Sequence, residues 1–222
     1  MDFTVIQKIA IWALPLLFAI TLHEVAHGWV AYLCGDYTAK LSGRLTINPV
    51  KHIDPVGTIV VPLLLLMFTH FVIGWAKPVP VNSRNVTRPR LQMPLISLAG
   101  PMANLVMALF WAFIAKAGLL LGVSNPWFGT PMQLMGEAGV WINVVLAVFN
   151  CLPLPPLDGW HVLLFLFPGK LSWHLARFER YGFFIVLLLV ASGALTYVIW
   201  PPISLILNGI MSLFGITLTD IF

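Results

Sequence analysis

Charge is what this sequence has least of: across 222 residues only 9% are Asp, Glu, Lys or Arg, against 59% hydrophobic residues. Soluble domains average about 25% charged residues, so 12 basic and 8 acidic side chains cannot coat a soluble globule of this length. Lipid must supply the missing solvent. Cysteine is scarcer still. Cys34 and Cys151 cannot form a disulfide framework, neither has a partner at metal-finger spacing, and both read as small buried apolar residues. The net charge of +4 would suit nucleic acid only if the basic residues were clustered. They are scattered among apolar segments, which excludes a nucleic-acid face and makes them markers of membrane topology. Repeats of about 20–50 residues and low-complexity linkers are also missing, so 1–222 reads as a single domain.

The apolar residues fall into long runs. Residues 5–34 can form a first helix that crosses a hydrocarbon core about 30 Å thick, with Pro15 expected to bend it and Gly35-Asp36 to end it. No small-residue cleavage site follows Lys8 and its apolar run, so this segment is expected to be mature protein, not a secretory signal. From Tyr37 to Asp54 the pattern changes. Thr38, Leu41, Leu45, Thr46 and Ile47, separated by Gly43 and Pro49, predict short strands and turns. The apolar stretch 56–75 is interrupted by Pro62, and a Pro-rich loop over 77–82 leads to Arg84, Arg88 and Arg90. Segments 93–122 and 133–152 are long enough to span, 157–167 is too short, and 181–200 can span. Pro201-Pro202 is expected to break the chain before a weaker apolar tail.

Basic residues record orientation. If 56–74 crosses the membrane, Lys8, Lys77, Arg84, Arg88, Arg90, Lys170, Arg177 and Arg180 share one side, opposite Lys40, Arg44 and Lys51. If it dips in and returns, the loops 35–55, 75–92 and 168–180 share one face, and only Lys8 and Lys116 lie opposite. The second asymmetry is sharper. It predicts a re-entrant element over 35–92 on the cytoplasmic side, four spanning helices and both termini outside. The expected fold class is an all-α polytopic membrane protein of about four to six transmembrane helices, with a re-entrant or short β element after the first. Residues 181–222 form its C-terminal helix and tail.

His23-Glu24-Val25-Ala26-His27 is the zinc-protease pattern His-Glu-x-x-His. Residues four apart share a helix face, so both imidazoles can hold one metal while Glu24 reaches the water bound to it. Chance alone would place this pattern in a chain of this composition with an expectation of about 0.002. A pair of satisfied polar residues at a helix end is the bland alternative, but three ionisable groups on an apolar helix are costly unless they serve a site. A third ligand must come from elsewhere. Asp2, Asp36, His52, Asp54, His70, Glu137, Asp158, His161, His174 and Asp220 are the candidates. Asp158 stands out, because Pro153, Pro155 and Pro156 break an apolar helix just before it; a helix-capping turn is the plainer explanation of the same residues.

These residues together resemble the site-2 protease family of intramembrane zinc metalloproteases. His23-Glu24-x-x-His27, Gly100-Pro101-Met102-Ala103-Asn104 and Asn150-x-x-Pro153-x-Pro155-x-Leu157-Asp158-Gly159 occur in the family's order over about residues 9–165. The segments Gly74–Asn82 and Asn48–Pro55 resemble its short bacterial members, so a PDZ or nucleotide-sensing domain is not expected. The resemblance implies one Zn2+ per chain on His23, His27 and Asp158, with Glu24 as general base and a catalytic centre facing the cytoplasm. It further implies that Asn150 contacts substrate backbone and that an edge strand within 36–54 holds an unwound substrate. His52, Asp54 and His161 could support the metal or replace a ligand, although capping or solvation explains them too. Asn104 is expected to make an interhelical hydrogen bond. The implied partners are transmembrane substrates within the bilayer of a bacterial inner membrane: anti-sigma factors, membrane-held transcription factors or leftover signal peptides. A metal-ion transporter or a catalytically silent scaffold are the alternative functions; neither explains Glu directly after the first His.

Overall fold

The computed structural model describes residues 4–61, 76–167 and 169–217, and every described element is helical. Helix α1 (Val5–Leu33) opens with a capping box, Thr4 accepting from the Gln7 backbone N–H, and contains Pro15. A single turn, α2 (Thr38–Leu41), follows. Then come α3 (Pro89–Ser124) and α4 (Pro126–Asn150), the short α5 (Asp158–Leu166) and α6 (Lys170–Ala176), and α7 (Gly182–Ala191) and α8 (Ala194–Phe214). Four helices are long and apolar enough to cross a membrane: Ile9–Leu33, Pro89–Ser124, Pro126–Asn150 and Ala194–Phe214. The described chain is thus an all-helical, polytopic membrane architecture.

Between lipid-facing helices the hydrophobic effect gives little drive to associate, so close packing of small residues must hold them. Helices α3 and α4 form the central hairpin on that principle. A Cβ on Gly136 would overlap the Ala115 backbone, and one on Gly139 of α4 would overlap the Trp111 ring of α3. Helix α8 closes the hairpin with Ile203, Leu207, Ile210 and Met211 against Ala108, Ala112, Val140 and Val144. Helix α1 joins through Ile11, which packs on Leu134 and Ala138 of α4.

Two expectations are corrected here. The stretch 37–54 forms no strand: it is α2, a 3-10 turn at Pro49–Lys51 and connecting loop. Short-range hydrogen bonds explain this. Asp36 accepts from the Thr38 backbone N–H, and Asn48 from that of Val50, so side chains compete for the donors a strand ladder would need. The described residues therefore do not support the β element, nor an edge strand for substrate. After it, Asp54 caps a π-helical turn at Pro55–Val60. The rest of the expected re-entrant segment, 62–75, with His70, lies outside the described residues.

The second correction concerns the C-terminal span. Ser192-Gly193 breaks the helix with Gly193 left-handed at φ 72, and Pro201-Pro202 sits inside α8. Each proline removes one intrahelical donor, which a long helix packed on its neighbours tolerates better than a left-handed residue.

Candidate metal centre

The site forms at the end of the bundle where α1 stops, α3 starts and α4 gives way to α5. His23 and His27, one turn apart on α1, are both buried, and their Nε2 atoms stand 3.0 Å apart. Asp158, the first residue of α5, places Oδ2 at 3.1 Å from His23 Nε2 and 3.4 Å from His27 Nε2. Among the described residues this is the group whose ligand atoms all lie within 4.8 Å of one another.

What faces the other ring nitrogens decides the chemistry. His23 Nδ1 lies 2.6 Å from Asn104 Oδ1, and His27 Nδ1 lies 2.7 Å from the Ile96 carbonyl oxygen. Both partners are acceptors, so each Nδ1 carries the proton and each Nε2 is left with its lone pair. Two lone pairs and a buried carboxylate oxygen without a hydrogen-bond partner then converge on one point. Such a set is repulsive until a cation joins it. Two imidazoles and one carboxylate are the ligand set of a catalytic zinc that keeps a position open for water.

The neighbouring helices are shaped for this arrangement. Asn104 is fully buried, and its amide donates to the Ala19 carbonyl and, at 2.9 Å, to Asn143 Oδ1 of α4. Asn143 donates in turn to the Gly139 carbonyl. A polar chain therefore runs from α4 through α3 to the His23 ring. A Cβ on Gly100 would overlap His27 Nε2 and approach His23 Nε2 to 2.7 Å, so α3 can approach the rings only with glycine there. The turn after α4 satisfies its own backbone, Leu157 N–H donating to the Leu154 carbonyl and Leu154 N–H to that of Leu152. Gly159 lets α5 lie directly on the Cys151 and Leu152 carbonyls and so delivers Asp158.

Glu24 is held separately. Its Oε2 accepts from the Val79 backbone N–H at 2.8 Å. Proline lacks an N–H, so Val79 offers the one donor of the Pro78-Val79-Pro80 run. One turn on, a Cβ at Gly28 would press on Leu45 and Val79, which shows how closely both loops lie against α1. Asp36 laces the later loop in place, accepting from the Asn82 N–H at 2.6 Å and from Asn85 Nδ2 at 2.9 Å. Burial alone would raise the Asp36 carboxyl; its hydrogen bonds with Thr38, Asn82 and Asn85 outweigh that and hold it below its ordinary value.

The other expected residues lie apart from the metal group. His52 is buried with Nε2 at 3.0 Å from the Thr46 carbonyl. Asp54 caps its turn by accepting from the Val56 and Gly57 N–H groups. His161 pairs with Glu179 at 3.5 Å. Asn150 donates to the Leu146 carbonyl at 2.9 Å, on its own helix. Asn143 was not picked out in the sequence, although a polar residue inside an apolar helix was the signal that could have found it.

Fold and site together define a polytopic membrane protein with a zinc-metalloprotease centre. Known relatives agree. Two carry the designation "Putative zinc metalloprotease": YwhC of Bacillus subtilis, 40% identical over 91% of this chain and 90% of its own, and Rip2 of Mycolicibacterium smegmatis, 31% identical over 81% of this chain and 66% of its own. The MJ0611 protein of Methanocaldococcus jannaschii, likewise designated, is 43% identical over 68 residues, 31% of each chain. No family model matches the chain, and no solved structure does. The chain belongs to the family of zinc metalloproteases that includes YwhC and Rip2, and zinc is the metal its donor set fits.

Proposed function

We propose that the chain is an intramembrane endopeptidase of the site-2 protease type, a single domain that cuts transmembrane segments of other membrane proteins from the cytoplasmic side of a bacterial inner membrane. The observation that carries this reading is the convergence of the His23 and His27 lone pairs on Asp158, beside Glu24, in a chain with four membrane-length helices. His23, His27 and Asp158 would hold one zinc ion, with Glu24 as the general base. The chemistry the ion would supply there is Lewis-acid polarisation of the scissile carbonyl and acidification of the attacking water. Glu24 accepts the proton of the attacking water and passes it to the leaving amine. The Val79 N–H anchors Oε2 of Glu24, which leaves Oε1 for the proton. Asn104 and the Ile96 carbonyl fix both ring planes. Asn150 contacts the substrate backbone, exchanging its bond to Leu146 for one to the substrate. A substrate helix shields its own peptide bonds, so it must be extended before water can reach them.

The test is cleavage of a single-span model substrate by purified protein in vesicles. Wild type is expected to cut within the span, and Glu24→Gln to keep its zinc without cutting. Undiminished cleavage by Glu24→Gln would overturn the mechanism, and zinc flux across the vesicle without cleavage would favour a transporter. Labelling of Ser83→Cys only from outside the cell would overturn the orientation.

A further inference from the structure

Residues 173–181, after the helix that carries Asp158, combine aromatic and cationic side chains in a way the proteolytic centre does not use. The Arg177 guanidinium stacks 3.6 Å from the Trp173 ring centroid, and that of Arg180 lies 5.2 Å from the Tyr181 ring. Arg180 Nε donates to the Arg177 carbonyl at 3.2 Å, which holds the two arginines on one turn. An open surface groove of about 260 Å³ is lined by His174, Arg177, Phe178, Arg180 and Tyr181. Among the described residues neither guanidinium has a carboxylate partner, since Glu179 is turned to His161. Leu171, Trp173, Phe178 and Tyr181 are each at least half exposed.

We propose that this turn binds the phosphate headgroup of an anionic glycerophospholipid. Position supports it: Gly182, directly after the turn, packs so closely on Pro155 that a Cβ would overlap it, which docks the segment at the metal-centre end of the bundle. At such an end, exposed Trp and Tyr sit naturally at headgroup level, and paired arginines meet phosphate through their fixed fork of donors. Leu166, Phe167 and Phe184, which flank the segment in sequence, are exposed as well, apolar surface that acyl chains would cover and a free phosphate would not need. The chain therefore recognises a lipid and not an inorganic ion.

The experiment is native mass spectrometry of the full chain in detergent, titrated with phosphatidylglycerol or phosphatidylcholine; it needs no proteolysis and stands apart from the proposed function. Wild type is expected to bind phosphatidylglycerol more tightly. Each cationic contact is worth about fivefold, so Arg177→Gln with Arg180→Gln should weaken that binding about thirtyfold and weaken the binding of phosphatidylcholine, whose choline offsets its phosphate charge, by less. Should the double variant not fold, Arg177→Gln alone reads the same contact, with about a fivefold loss expected. Equal phosphatidylglycerol affinity in wild type and folded variant overturns the proposal, as does displacement of the lipid by inorganic phosphate at equal concentration.

Discussion

The Nδ1 of His23 on α1 and the Oδ1 of Asn104 on α3 are 2.6 Å apart, and this one contact leaves Nε2 as the nitrogen of His23 with a free lone pair. Asn104→Leu removes the acceptor, so the ring can turn or take its other tautomer. Loss of such a support lowers metal affinity by about 10- to 100-fold. Zinc competition with a chelator is expected to show a drop in that range for Asn104→Leu, while Asn104→Asp, which keeps an acceptor, retains more zinc. An unchanged affinity in Asn104→Leu would mean that packing alone orients the ring.

Asn143 extends the same relationship one helix further. In Asn143→Leu the Asn104 amide loses its partner at 2.9 Å, leaving only the Ala19 carbonyl. Buried hydrogen bonds between membrane helices are worth about 0.6 kcal/mol on average and at most about 1.7. The expected result is therefore modest: a melting temperature lowered by a few degrees and zinc affinity reduced by less than in Asn104→Leu. A merely structural role would move the first and not the second, so the two measurements together separate positioning from packing.

Much of this site was legible in the sequence, for reasons that differ by residue. His23, Glu24 and His27 belong to one helix, and helical periodicity alone predicts their common face. Asp158 was marked by three prolines that had to break an apolar helix. The long helices α1, α3 and α4 were visible as apolar runs that only lipid can accommodate. The missed features depend on tertiary neighbours. The support from Asn143 and the Ile96 carbonyl arises where α1, α3 and α4 cross, and the Val79 N–H reaches Glu24 only through a loop 55 residues away in sequence. The strands expected over 37–54 failed because threonine and apolar residues set between Gly43 and Pro49 say nothing about side chains such as Asp36 that claim the backbone donors first.

Gly100→Ala tests the closeness of α3 to the rings. The added methyl would overlap His27 Nε2, and the listless freedom of a surface side chain is not there to absorb it, since both histidines are pinned at Nδ1. Overpacking of this kind costs about 1–3 kcal/mol, and here it falls on the two histidines proposed as ligands. Zinc content and cleavage are expected to fall together while circular dichroism stays helical. Full zinc occupancy in Gly100→Ala would show that α3 can shift away without disturbing the centre.

Asp36 gives the chain a pH-dependent loop anchor whose sign follows from its environment. Its carboxyl sits below the ordinary value in the folded protein, so the unfolded loop binds more protons, and the stabilisation is fully present above about pH 4. It is lost as the pH falls through the lowered folded value. Hydrogen exchange of 76–88 is therefore expected to rise steeply in that acid range in wild type. In Asp36→Asn exchange should already be fast at neutral pH, with about 1.5–3 kcal/mol of local protection gone, because a charged acceptor bonded to Thr38, Asn82 and Asn85 has become a neutral amide. Since the same loop presents the Val79 N–H to Glu24, cleavage in Asp36→Asn should decline while zinc content holds. If the variant keeps the wild-type exchange profile, some other group anchors the loop and the link from Asp36 to Glu24 fails.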